Sequence, residues 1–163
     1  MYWPVLFTGI AATVFFIFIR IRKGGLPGAF AKSVSSFLFV LTGCVCLSIN
    51  HGRPDYGLLI IPGLVCGLAG DIWLDIKHAF PDYADTCLYA GFYSFTAGHI
   101  FFCTAIYLCF EWTSAGLVTC LCSALASSLV FIISGKPLGL DFGKFREISF
   151  IYGFILMMTG FSA

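Results

Sequence analysis

Charge is what this 163-residue chain lacks: nine Lys and Arg and eight Asp and Glu make up 10% of it. A water-soluble domain carries about 25%. So few charges cannot dress a water-facing surface, and they exclude both a disordered segment and a basic nucleic-acid binder. The net charge of +1 names no partner. The eight cysteines all fall inside apolar runs, and Cys44/Cys46 and Cys120/Cys122 are spaced C-x-C rather than the C-x-x-C of zinc and redox sites. They read as small buried residues and imply no disulfide framework of a small secreted domain.

Apolar residues are abundant: 60% of the chain is hydrophobic, 18% is aromatic, and the mean hydropathy is +0.97. Six apolar stretches, at about 3–19, 33–49, 57–76, 87–110, 114–134 and 148–163, each approach the ~20 residues a helix needs to cross ~30 Å of hydrocarbon. The first has no charged start and no small-residue cleavage site, so it reads as a retained span and not a signal peptide. Backbone groups in lipid must bond internally, and these runs lack the alternation of barrel strands. The expectation is an all-α, polytopic transmembrane bundle of six spans in one domain.

The few charges orient it. Arg20, Arg22, Lys23 and Lys32 follow the first span, Lys77 the third, and Lys136, Lys144 and Arg146 the fifth, which puts eight of nine basic residues on one side. Only Arg53 lies on the other. By the positive-inside rule those loops face the cytoplasm and the N-terminus lies outside.

Common catalytic signatures are missing as well. There is no G-x-S-x-G elbow, no H-E-x-x-H pair and no glycine-rich phosphate loop. Of three histidines, His51 and His78 fall in loops on opposite sides of the membrane, which disfavours a three-ligand zinc site, and no metal is expected. What remains is acid–base chemistry by carboxylate and imidazole.

An ionisable side chain inside a span costs about 2.5–3.5 kcal/mol on insertion scales and is by default a functional candidate. Asp71, in Gly70-Asp71-Ile72-Trp73, lies six residues before Lys77, about 9 Å inside the cytoplasmic boundary. His99, in Gly98-His99-Ile100, lies about 18 Å from that boundary. Sequence alone does not bring the two into contact. Asp75 follows Asp71 by one turn on the same face. Each has a plainer reading: Asp71 pairing with Lys32 or bonding a neighbouring helix, His99 donating to a backbone carbonyl, Asp75 a solvated interfacial charge. Lys32 and Glu147 sit at span ends, where long side chains reach water, and Glu111 and Asp141 belong to loops. Gly63, Gly67 and Gly70 read as small residues that let helices approach, with Gly70 also placed to hold a substrate group near Asp71.

Two consecutive spans resemble the YhhN family, multi-pass membrane proteins that include the lysoplasmalogenases. The family pairs a G-L-x-x-S-x-x-G-D-x-x-L span with a G-L-x-x-F-x-x-x-H span. Gly63, Leu64, Gly70, Asp71 and Leu74 match the first, and Gly91, Phe95 and His99 match the second. Lys32 resembles the lysine opening the family's second span, and Tyr152 with Gly160-Phe161-Ser162-Ala163 resembles its sixth. Gly67 stands where the pattern has Ser, Phe92 where it has Leu, Ser33 where Pro is common, and Phe102 where Tyr often follows the His. The family pattern continues with two further spans, the first carrying a Ser-Asp pair. The expectation is therefore a shortened member or a fragment.

The resemblance implies hydrolysis of the vinyl-ether bond of a lysoplasmalogen, a one-chain lysophospholipid, to a fatty aldehyde and a glycerophospho-base. That chemistry needs a proton donor and a positioned water and requires no cofactor. On this reading Asp71 is the general acid and His99 positions water or acts as base, with Asp75 a lesser catalytic candidate. Lys32 contacts the phosphate or holds Asp71, and Gly70 and Tyr152 complete the substrate contacts. The competing readings are a transporter using Asp71 and His99 as a proton or ion relay, and a truncated, non-catalytic family member.

Overall fold

The computed structural model describes residues 3–49, 53–135, 137–139 and 142–163. His51, Lys136 and Asp141 lie outside them. Six α-helices follow one another: α1 (Trp3–Arg22), α2 (Gly25–Ile49), α3 (Pro54–Ala79), α4 (Ala84–Cys109), α5 (Ser114–Ser134) and α6 (Arg146–Ser162), with short 3-10 turns at Pro81–Tyr83 and Gly143–Phe145. The described chain is an all-helical membrane bundle.

Five of the six helices are long and apolar enough to cross a membrane, not six as expected. α6 is the exception. It has 17 residues, the first two being Arg146 and Glu147, and at 1.5 Å per residue it reaches about 25 Å. That falls short of a ~30 Å hydrocarbon layer.

A second difference concerns α2, which begins at Gly25, eight residues before the expected span. Gly24 and Gly25 adopt positive φ of 58° and 49°, conformations that glycine takes without steric cost. They reverse the chain directly after α1. Pro27 then falls in the first turn of α2, where its missing N–H breaks no helical bond. Lys32 is consequently two turns inside a helix, not at its mouth.

Among the described residues, packed neighbours run in the order α1, α2, α3, α4, α6, α5. The tightest seam is α3 against α4, and glycines on both sides make it. A Cβ on Gly63 would strike the Phe102 ring, and one on Gly70 would lie 2.8 Å from the Phe95 ring. From the other side, a Cβ on Gly91 would lie 2.7 Å from Leu74 Cδ2, and one on Gly98 would lie 2.9 Å from the Gly63 carbonyl oxygen. Both glycine pairs are seven residues apart, two helical turns, so each helix offers two notches to the other's large side chains.

α6, not α5, is the helix that continues the row beyond α4. α5 buries Cys120, Ala124, Ser128 and Ile132, a stripe spaced by four whose small members permit close approach to α6. Large apolar side chains such as Phe7, Phe15, Phe18, Val118, Leu125 and Ile133 point outward, a surface that suits lipid.

Candidate intramembrane site

Helix α3 carries Asp71 in the half of the bundle that holds most of the basic residues. Its neighbour α2 presents Lys32 and Ser36, one turn apart on one face. Lys32 Nζ lies 2.8 Å from Asp71 Oδ1, and the Ser36 hydroxyl donates to Oδ2. Both carboxylate oxygens are thus occupied. The pair is not sealed: the Lys32 and Asp71 side chains keep 24% and 22% of their surface exposed. Gly67, one turn before Asp71, has nothing within 4 Å of where a Cβ would stand, so space is open there.

Asp75, expected to be solvated, is buried, with only 4% of its side chain exposed. Arg20 causes the difference. It reaches across from the last turn of α1, and its Nη1 donates to Asp75 Oδ1 at 2.8 Å. The guanidinium stem in turn lies against Gly28 of α2. Asp75 Oδ2 is buried with no hydrogen-bond partner among the described residues. α1 and α3 do not otherwise pack on each other, so this ion pair ties them together past α2.

His99 and Tyr152 come from α4 and α6. The His99 ring sits 5.9 Å from the Tyr152 ring and 5.7 Å from Phe102, centroid to centroid. Tyr152 also meets Phe92 at 5.7 Å and Phe95 at 6.1 Å. Asp71 and His99 make no direct contact among the described residues; Phe95, packed against Gly70 beside Asp71 and against the Tyr152 ring, links the two sides. His99 Nδ1 pairs with the Thr159 hydroxyl of α6 at 3.1 Å, not with a backbone carbonyl. Gly70, placed by the sequence reading near a substrate group, is occupied instead by its contact with Phe95.

The structure therefore pairs Lys32 with Asp71 and Tyr152 with His99, the two pairs linked through Phe95, and sets Asp75 one turn away with a partner of its own. Sequence reasoning missed Ser36, Arg20, Thr159 and Cys103, whose thiol lies 3.2 Å from the Thr159 hydroxyl. Only Ser36 carried a signal, its position four residues after Lys32.

Tyr152 also lines an apolar cavity of about 230 Å³ between α4, α5 and α6, with Phe92, Phe131, Gly153, Leu156 and Met157. A larger cavity, about 500 Å³, lies at the opposite end beside Tyr56, Phe110 and Trp112, and no candidate site residue touches it.

Membrane-length helices, an apolar exterior and a charged cluster within the spans define a multi-pass helical membrane protein with an ionisable intramembrane site. The YhhN family model matches residues 29–163, and the chain belongs to that family. The matched stretch contains Lys32, Ser36, Asp71, Asp75, His99, Tyr152 and Thr159; Arg20 precedes it. Comparisons with curated proteins and with solved structures gave no match.

Proposed function

We propose that the protein hydrolyses the vinyl-ether bond of lysoplasmalogens, releasing a fatty aldehyde and a glycerophospho-base. The observation that carries this reading is the cluster of Lys32, Ser36 and Asp71, about a fifth open to its surroundings, with the His99–Tyr152 ring pair linked to the same stretch of α3 through Phe95, which packs on Gly70. The cluster offers a cation for a phosphate, a carboxyl group for proton transfer and an imidazole for water. The apolar cavity beyond Tyr152 suits a single hydrocarbon chain. An apolar cavity of about 150 Å³ stays dry and holds benzene, and this one is larger.

The proton balance runs through Asp71 and His99. In the free protein Lys32 neutralises the Asp71 carboxylate. A lipid phosphate competes for the Lys32 ammonium, which leaves the Asp71 carboxyl group free to take a proton from water and pass it on. Asp71 then protonates the β-carbon of the vinyl ether, and the double-bond electrons form the new C–H bond. The oxocarbenium ion left behind is attacked by water, whose proton passes to His99. The hemiacetal collapses: the Asp71 carboxylate takes its hydroxyl proton, the C–O bond to glycerol breaks, and the His99 imidazolium gives its proton to the departing oxygen, leaving aldehyde and alcohol. Asp71 and His99 return to their starting states over the cycle. On this reading the basic loops face the cytoplasm and the N-terminus lies outside.

The test is aldehyde release from a choline or ethanolamine lysoplasmalogen by purified protein in detergent. Aldehyde from wild type and none from folded Asp71→Asn supports the reading. A folded wild type that forms no aldehyde, or an Asp71→Asn variant with full activity, sinks it.

A further inference from the structure

Thr159 sits behind His99, and counting its hydrogen bonds decides which nitrogen of the imidazole carries the proton. A threonine hydroxyl has one proton to donate and two lone pairs to accept with. The Ile155 carbonyl one turn back can only accept, so its 3.0 Å hydrogen bond with Thr159 Oγ1 takes that proton. Two further groups reach the same oxygen, His99 Nδ1 at 3.1 Å and Cys103 Sγ at 3.2 Å. With no proton left to give, the oxygen accepts from both, which requires a hydrogen on Nδ1 and one on the thiol. The hydrogen bond made by one ring nitrogen sets the state of the other. In the neutral ring Nε2 then holds the free lone pair. Nε2 has no hydrogen-bond partner among the described residues, and the ring meets Phe102 in a T-shaped arrangement and Tyr152 at a tilt.

We propose that Thr159 is a positioning residue that fixes His99 as its Nδ1–H tautomer, so that Nε2 is the basic atom presented to water. The role as base rests on the hydrolase reading above; the tautomer does not. Cys103 supports the arrangement by filling the second lone pair. Without a partner for Nδ1, the ring is free to rotate and to adopt the Nε2–H form that unconstrained histidine favours, which would turn its donor toward the water instead of its lone pair.

The experiment is nitrogen NMR of the full chain in detergent micelles with labelled histidine, at a pH where the rings are neutral, with His99→Gln identifying the His99 signals. In wild type, His99 should show a protonated Nδ1 and a bare Nε2. Thr159→Val, which keeps the shape and loses the hydroxyl, should move the proton to Nε2. Its kcat for aldehyde release should fall about tenfold or more, up to the ~10²–10⁴ that a positioned base supplies, with KM little changed. Thr159→Ser should restore both the tautomer and the rate. A wild-type His99 protonated on Nε2 overturns the proposal, as does a Thr159→Val protein with the tautomer unmoved. Should wild type release no aldehyde while His99 shows the Nδ1–H form, the hydrolase reading fails and the tautomer assignment stands.

Discussion

Asp71 and Asp75 stand one turn apart on the same face of α3, and the structure treats them differently. Asp71 is held by a lysine and a serine of the adjacent helix and keeps about a fifth of its side chain exposed. Asp75 is held by an arginine from two helices away and is almost wholly enclosed. The lysine contact is a point charge on a flexible stem, which a phosphate can draw off. The arginine contact binds α1 to α3 and exposes no carboxylate oxygen for chemistry. Two acidic residues one turn apart thus face different partners, and the proposed assignment of the chemistry to Asp71 rests on that difference in exposure and counter-charge.

Four substitutions test that assignment. Asp71→Asn should show the largest effect, a loss of aldehyde release of about 10²-fold or more, with the folded fraction by size-exclusion chromatography unchanged. Lys32→Gln should come next, raising KM for the lysophospholipid about tenfold, since a charge-assisted contact to phosphate contributes about 1.5–3 kcal/mol. Asp75→Asn should act on stability instead. Breaking a buried pair from one side costs about 3–5 kcal/mol, and because Arg20 is 37% exposed, solvent screening reduces this to about 1–3 kcal/mol. Thermal unfolding in detergent measures that loss, and replacing both partners, Arg20→Met with Asp75→Leu, should recover most of it. Gly67→Ser should matter least, within about 0.5 kcal/mol of wild type, because the space beside Asp71 is open at that position. A large loss of stability there would show that the Asp71 side is closed, and would remove the contrast with Asp75.

The helices were legible because lipid demands long apolar runs, and Asp71 and His99 because charge is rare within them. The α3–α4 seam was half legible: Gly63, Gly70, Gly91 and Gly98 are visible as glycines, but which large side chain fills each notch depends on how the two helices face each other. The start of α2 was misjudged because Gly24-Gly25 reads equally as loop or as a tight reversal, and only the positive φ values distinguish them. The partners of the site were hidden by distance along the chain. Arg20 and Asp75 are 55 residues apart, and His99 and Thr159 are 60. Nothing in a sequence of mostly apolar helices marks one threonine or one arginine as the one that arrives. The neighbour order, with α6 between α4 and α5, was likewise invisible, since a short connection between α4 and α5 suggests an adjacent hairpin.

The central claim is that Asp71, not Asp75, carries the chemistry. The direct test is to measure aldehyde release per folded molecule for Asp71→Asn and Asp75→Asn side by side, in the same detergent and on the same lysoplasmalogen. The account predicts that Asp71→Asn is inactive and Asp75→Asn stays within about threefold of wild type per folded molecule, because Asp75 lies outside the reacting atoms. Equal losses in the two variants, or an active Asp71→Asn protein, would contradict it.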